Sequence, residues 1–328
     1  MRQFSAEEVT APVLSENAQC ALHTLMYFDV FRHPLTLDEL HRYAQWKECS
    51  LSETATAIEE LQAHGVVCSR EGFYYICGSE KHIDLRRERN GRAVLYSAKA
   101  EKWSRFISGF PFVRTVCISG SLSKGTMDKD GDIDYFIITE PGRLWVARTF
   151  LILFKKLFLL NSKKYFCVNY FIDTNNLAIP DRNLFTATEI VFAKPMRDAN
   201  TFQDFVKENK WSGIFYPNTT TIPTEIPATR NGKTKRFIES LLNGRIGEWL
   251  DDKFFRITLR RWRNKFPHLR TDHFEVDFRS RKHVSKHHPQ GFQRIVLSKL
   301  ENKRTELQDK HGLQIRPHAM EWQSGHGI

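Results

Sequence analysis

The chain has 328 residues, 41% of them hydrophobic and 27% charged, an ordinary soluble globular composition with room for two domains or three small ones. Its formal net charge is +11, and the excess is local: residues 1–228 hold 27 Lys/Arg and 27 Asp/Glu, whereas residues 229–328 hold 22 and 11. The longest apolar run, Val146 to Leu160, is interrupted by Lys155 and Lys156, which excludes a bilayer span and predicts a buried helix.

Cys20, Cys49, Cys68, Cys77, Cys117 and Cys167 contain no CxxC pair and read as reduced core residues. The N-terminal stretch lacks a signal-peptide apolar run, so the expectation is a cytoplasmic protein without a membrane partner. The sequon at Asn218 carries little meaning in that setting.

Apolar spacing near the helical period predicts a helix over residues 17–31, stopped by His33-Pro34. Thr36 predicts an N-cap for a short helix over 37–45, and Ser50 or Ser52 opens a third that ends at Gly65. Residues 66–77 then predict two short strands around Glu71-Gly72. Three helices and a hairpin resemble a winged helix-turn-helix, whose third helix often enters a DNA groove. Here that helix carries Glu53, Glu59 and Glu60 and no Lys or Arg, so a structural or protein-binding role is favoured over phosphate contact.

A connecting helix is expected over 84–109, then buried strands at 113–119, 133–139 and 164–172, with a helix from Leu144 to Leu160 after the Pro141-Gly142 turn. Asp181 is read as the cap of a helix that Pro195 ends, and another helix covers 199–210. Residues 213–232 hold three prolines and read as a linker or extended segment. A long helix from Thr234 to Trp262, a basic loop over 279–290, a charged helix over 291–310 and a frayed end complete the chain.

The chemistry concentrates between Ser119 and Phe136. Strand alternation puts Asp132 and Asp134 on one face with Ile133 turned inward. Two carboxylates so placed repel each other unless a cation lies between them, and hard Mg²⁺ or Mn²⁺ suits oxygen ligands. Gly120 and Ser121, where a strand yields to a short helix, offer N–H groups and a hydroxyl to phosphate oxygens, and Lys124 adds positive charge. An acidic turn explains Asp128 and Asp130 but not two acids alternating within an apolar strand. A calcium EF-hand is excluded because Ile133 and Thr139 stand where Gly and Glu are needed. A P-loop is excluded because Thr126 stands where Lys is required.

This stretch resembles the nucleotidyltransferase superfamily that includes DNA polymerase beta. The match lies at Gly120, Ser121, Gly125, Asp132 and Asp134, within strand, short helix and strand. The resemblance implies an α/β (α+β) core with a short mixed sheet, a metal held by Asp132 and Asp134, and phosphates gripped by Gly120, Ser121 and Lys124. It also implies a third carboxylate on a later strand. Asp173 is the candidate, Glu189 the weaker one, and Asn169 stands at the strand-central position.

The expected activity is transfer of a nucleoside monophosphate from an NTP, ATP being the expected donor, to an unidentified acceptor. The alternative is a degenerate nucleotide-sensing protein that binds nucleic acid or a protein partner. Arg256, Arg260, Arg261, Arg263 and Lys265 suit a polyanion, while Trp262 and Phe266 are read as packing residues before base-stacking ones. His283, His287 and His288 read as a basic loop before a metal site. The expected domains are a winged-helix-like unit at 1–83, the nucleotidyltransferase core at 84–212, and a linker with a basic helical region at 213–328.

Overall fold

The computed structural model describes residues 13–219, 226–229, 231–267, 270–287 and 291–317. They form two compact units. One holds the described residues up to Arg86 with segments 213–219 and 295–317, and the other holds 87–212 with the described residues of 221–294. The C-terminal hundred residues are therefore divided between the units. Among the described residues no helix is long and apolar enough to cross a membrane.

The first unit contains α1 (Glu16–Asp29), α2 (Leu37–Arg42), α3 (Leu51–Ala63), β1 (Val67–Arg70) and β2 (Phe73–Ile76). Local chemistry sets their boundaries. Thr36 and Ser50 form capping boxes with Glu39 and Glu53, which satisfy N–H groups at the starts of α2 and α3. Glu71 and Gly72 take φ of 55° and 78°, the hairpin conformation that joins antiparallel β1 and β2. Leu22, Met26, Leu40, Ile58 and Leu61 supply its buried apolar contacts. Two cysteines depart from the expected reduced state. The hairpin brings the Cα atoms of Cys68 and Cys77 to 5.0 Å, and the two are joined as a disulfide. The Asn218 side chain is used internally, donating to the carbonyls of His41 and Cys49, each at 2.8 Å.

The chain continues through α4 (His82–Ser108), β3 (Val113–Ser119), α5 (Gly120–Ser123), β4 (Asp134–Thr139), α6 (Leu144–Phe158), β5 (Cys167–Asp173), α7 (Leu184–Val191), β6 (Lys194–Arg197) and α8 (Ala199–Glu208). After it come α9 (Lys233–Leu242), α10 (Arg245–Lys265), α11 (Thr271–Asp277), β7 (Ser280–Arg281), β8 (Val284–Lys286) and α12 (Phe292–His311). A mixed sheet in the order β6-β3-β4-β5-β8-β7 organises the second unit. Only the β4–β5 pair within it is parallel. Alternation sorts its faces: Val116, Ile118, Tyr135, Ile137 and Phe171 join a core with Ala100, Trp145 and Leu151. Phe136 turns the other way, meeting Tyr170 and Phe205 with ring centroids 5.4 and 5.0 Å apart.

Four expectations are corrected here. The helix expected over 234–262 is broken at Asn243-Gly244 into α9 and α10. Gly247 lies so close to the Leu242 carbonyl that a Cβ there would collide with it, and Arg143 binds the Leu242 and Asn243 carbonyls at 2.9 and 2.6 Å. The basic loop expected over 279–290 contains β7 and β8, and β8 pairs with Tyr170, Phe171 and Ile172 of β5. Asp181 is not a helix cap. It binds Arg279 at 2.7 Å and Lys286 at 3.3 Å, while Asn183 caps α7 by accepting from the Thr186 N–H at 2.9 Å. Pro195, read as a helix stop, sits in edge strand β6, where a missing N–H donor is tolerated.

Candidate active site

At the end of β3 the chain turns at Gly120, whose φ of 65° suits glycine, makes one turn of α5, and returns into β4. A Cβ on Gly120 would lie 2.7 Å from Asp134 Oδ2, so the glycine backbone rests directly against that carboxylate. The returning loop is fastened to α4. The Met127 N–H donates to the Arg89 carbonyl at 3.1 Å, Arg92 Nε donates to the Met127 carbonyl at 3.1 Å, and Arg89 pairs with Asp128 at 2.6 Å. Ile133 is fully buried, with half-buried Asp132 and Asp134 on either side of it. β4 begins at Asp134, so Asp132 lies just before the strand. Ser121 is exposed, and its carbonyl accepts the N–H groups of Lys124 and Thr126 at 3.1 Å.

Although Asp134 keeps some surface, its carboxyl group lies deep among protein atoms. Burial pushes it up to about 7 from 3.8. A hydrogen bond from Cys167 opposes the shift, the charges of Asp132 and Glu189 add to it, and Lys124 opposes it. Asn169 Nδ2 donates to Asp134 Oδ1 at 2.8 Å, and Cys167 Sγ lies 3.3 Å from Asn169 Oδ1.

Asp173 is not brought to this cleft. β4 and β5 run parallel, with Asp134 opposite Cys167 and Thr139 opposite Asp173, so Asp173 lies at the far end of the strand, about 20 Å away at strand rise. Its carboxylate accepts from the Asn175 N–H at 3.1 Å and from Asn176 Nδ2 at 2.8 Å, tying the turn that follows β5. The position beside Asp134 belongs to Asn169. Tyr135 pairs with Val168 and Phe136 with Tyr170, so Asn169 is the extra residue of a bulge. Glu189 of α7 does reach the cleft: Oε2 accepts the Gly120 N–H at 3.2 Å, and Oε1 pairs with Lys124 Nζ at 2.7 Å. The sequence ranked Glu189 low because a helical glutamate is usually solvated, and no local signal showed that α7 folds back onto Gly120.

The donor set can be tested against a metal. The Asp134 carboxylate lies against the Gly120 backbone, Asp132 stands two residues before it and adds its charge, and burial raises the Asp134 carboxyl. Among the described residues no group of three His, Cys, Asp or Glu side chains forms a metal site. Asp132 and Asp134 would suit one hard divalent ion, which prefers oxygen ligands. The set does not fit a second protein-held ion, because an amide occupies the third strand position.

The remaining candidates lie apart from this chemistry. His287 packs its ring against Trp262 and Phe278, with centroids 5.0 and 5.2 Å apart, and His288 lies outside the described residues. Trp262 is buried, and Phe266 packs on Phe278 at 4.6 Å, so both are packing residues. Arg256, Arg260, Arg261, Arg263 and Lys265 are exposed on α10. A cavity of about 770 Å³ lies between the segment 174–180, α8 and the β7–β8 hairpin, and of the candidate residues His283 lines it.

Residues 100–192 match the model of the nucleotidyltransferase domain family. The matched segment spans β3, α5, β4 and β5 and ends just past Glu189. Comparison with curated proteins returned no match, and neither did comparison with solved structures.

Proposed function

Since the chain carries a nucleotidyltransferase domain at residues 100–192, we propose that it moves a nucleoside monophosphate from a nucleoside triphosphate, ATP first among the candidates, to an acceptor nucleophile with the help of one Mg²⁺ or Mn²⁺. The observation that carries this reading is the contact of the Gly120 backbone with the Asp134 carboxylate, beside Asp132. Asp132 and Asp134 would hold the ion, which when bound neutralises charge on the phosphates. To hold the ion, Asp134 would have to be ionised, which its burial opposes. Gly120 and Ser121 present the backbone N–H groups and hydroxyl of a strand-to-helix turn to phosphate oxygens. Glu189 accepts the Gly120 N–H and pairs with Lys124. An incoming phosphate oxygen exchanges with that carboxylate. The acceptor attacks the α-phosphorus in line, the bond to the bridging oxygen breaks, and pyrophosphate leaves.

The test is calorimetric titration of ATP, GTP, CTP and UTP, with and without Mg²⁺, on the wild type and Asp134→Ala. Magnesium-dependent binding of one nucleotide, lost in the variant, supports the reading. Absence of binding by all four sinks it.

Asn169 beside Asp134 favours a second reading, a nucleotide-sensing protein without transfer, whose exposed α10 cations engage nucleic acid. Magnesium-dependent incorporation of labelled nucleotide separates the two. The second reading instead requires salt-dependent nucleic-acid binding that survives Asp132→Ala with Asp134→Ala.

A further inference from the structure

The sequence predicts one buried helix from Val146 to Leu160, and the structure buries only the first part of it. Trp145, Val146, Ala147 and Leu151 join the core. Beyond Leu151 the run comes to the surface with its apolar character unchanged. Leu153, Leu157 and Phe158 are 49, 63 and 70% exposed, and Leu160, just past the end of α6, is 91% exposed. Phe106 of α4 extends this surface. Its ring lies 4.7 Å from that of Phe154, which stacks on Phe158 at 5.1 Å.

The turn that ends α6 holds Leu160 outward. Leu160 and Asn161 take φ of 48° and 62°. The Asn161 N–H donates to the Lys155 carbonyl at 3.0 Å, and the Ser162 N–H to the Leu159 carbonyl at 2.8 Å. Glycine and asparagine adopt this left-handed conformation at low cost, and a leucine does not. Leu160 thus carries backbone strain and gains almost no burial in return. Packing within the unit does not account for the side chain.

The charges around the tip are of one sign. Between Glu140 and Asp173 the sequence has no acidic residue. Lys156, Lys163 and Lys164 are exposed, and among the described residues none of them forms an ion pair. Lys99 of α4, also exposed, donates to the neutral Tyr165 hydroxyl at 3.0 Å. The Lys156 ammonium is lowered by burial and then by the charges of Arg261 and Arg148. A convex apolar tip is therefore ringed by cations.

We infer that the end of α6 and the turn after it dock the protein on an anionic lipid surface. Apolar side chains of such a tip enter the boundary between headgroups and acyl chains, and lysines around them reach the headgroup phosphates. Both halves of the surface are then used. Nucleic acid would meet the cations but not Leu153, Leu157 and Leu160, because aliphatic side chains give bases no face to stack on. The sequence gave no expectation of a membrane partner because no span is present, and a peripheral contact needs none. The tip is tied to the strand end that carries the candidate site. The Ile133 N–H, between Asp132 and Asp134, donates to the Lys164 carbonyl at 3.0 Å. Docking at the tip would hold that end of the sheet near the lipid surface. The inference does not depend on nucleotidyl transfer.

The experiment is co-sedimentation of the full chain, without nucleotide or metal, with two kinds of vesicle at low and high salt. One is phosphatidylcholine alone, and the other is phosphatidylcholine mixed with phosphatidylserine. The proteins are wild type, Leu160→Asn, Phe158→Ser and the double variant Lys163→Gln with Lys164→Gln. We expect the wild type to bind the mixed vesicles, to bind phosphatidylcholine about tenfold more weakly, and to be released by salt. Leu160→Asn and Phe158→Ser should each bind about tenfold more weakly than wild type. Each lysine should contribute about a fivefold change in affinity. Leu160→Asn separates docking from folding, because asparagine suits the turn: its melting temperature should equal or exceed that of the wild type while its vesicle binding falls. No binding of the mixed vesicles by the wild type, or equal binding by all four proteins, overturns the inference. So does equal, salt-insensitive binding of both kinds of vesicle. Self-association or oligonucleotide binding that Leu160→Asn abolishes, with no vesicle binding, would assign the tip to a second copy or to nucleic acid and overturn it as well. None of these results bears on the nucleotide titrations that test the transfer reading.

Discussion

Asn169 Nδ2 donates to Asp134 Oδ1 across 2.8 Å, from a bulge that turns its side chain toward the cleft. An amide therefore stands where the resembling family usually places a third carboxylate. Asn169→Asp replaces this hydrogen bond with like-charge repulsion in a buried position. Metal-free stability should fall by about 1–3 kcal/mol, and Mg²⁺ should restore it. Thermal melting in EDTA and in Mg²⁺ measures both effects. An unchanged melting temperature in EDTA would contradict this account of the contact.

Gly120 is constrained twice, by φ of 65° and by the Asp134 oxygen 2.7 Å from where a Cβ would lie. Gly120→Ala should cost about 1–2 kcal/mol from the backbone alone, with the displacement of Asp134 added. Denaturant unfolding reads the cost, and magnesium-dependent nucleotide binding should be lost with it. Wild-type stability in the alanine variant would remove the close approach from the site description.

The Asp134 carboxyl, raised to about 7 from 3.8 chiefly by burial, links stability to pH. The folded state binds this proton more tightly than the unfolded chain does. The contribution is therefore fully present below about pH 4 and is lost as pH rises through about 7. Without metal, Asp134→Asn should match wild type near pH 4 and exceed it at pH 8 by an amount on the order of 2–4 kcal/mol. Chemical denaturation in EDTA across that range tests the sign, and parallel curves for the two proteins would refute it.

Glu189 occupies the Gly120 N–H and the Lys124 ammonium together. Glu189→Gln keeps an acceptor for Gly120 and releases the charge of Lys124. Nucleotide affinity should then tighten about fivefold, the worth of roughly 1 kcal/mol. Titration with the preferred nucleotide checks this, and weaker binding would mean that Glu189 itself contacts the metal or the nucleotide.

The elements read correctly from the sequence share one property: their signals lie within a few residues. Thr36 with Glu39 and Ser50 with Glu53 set helix starts, Glu71-Gly72 sets the hairpin, and the alternation around Ile133 sets the spacing of Asp132 and Asp134. The nucleotidyltransferase motif was legible for the same reason, since Gly120 through Asp134 is one continuous loop between two strands. The two lysines interrupting the apolar run of α6 were also visible, although their surroundings were not.

Tertiary structure decided what depends on partners distant in the chain. The bulge in β5 chose Asn169 over Asp173 as the neighbour of Asp134, a choice made by strand register. The return of α7 brought Glu189 to Gly120 across 69 residues, and β8 turned an apparent basic loop into a strand by pairing with β5. Packing of α10 against α6 placed Trp262 against Arg148. The sequence determined by itself the spacing of Gly120, Asp132 and Asp134, because local backbone geometry orients them. Which charges stand beside them was left to the packing of distant segments, because Coulomb and hydrogen-bond terms depend on distances that only the folded chain sets.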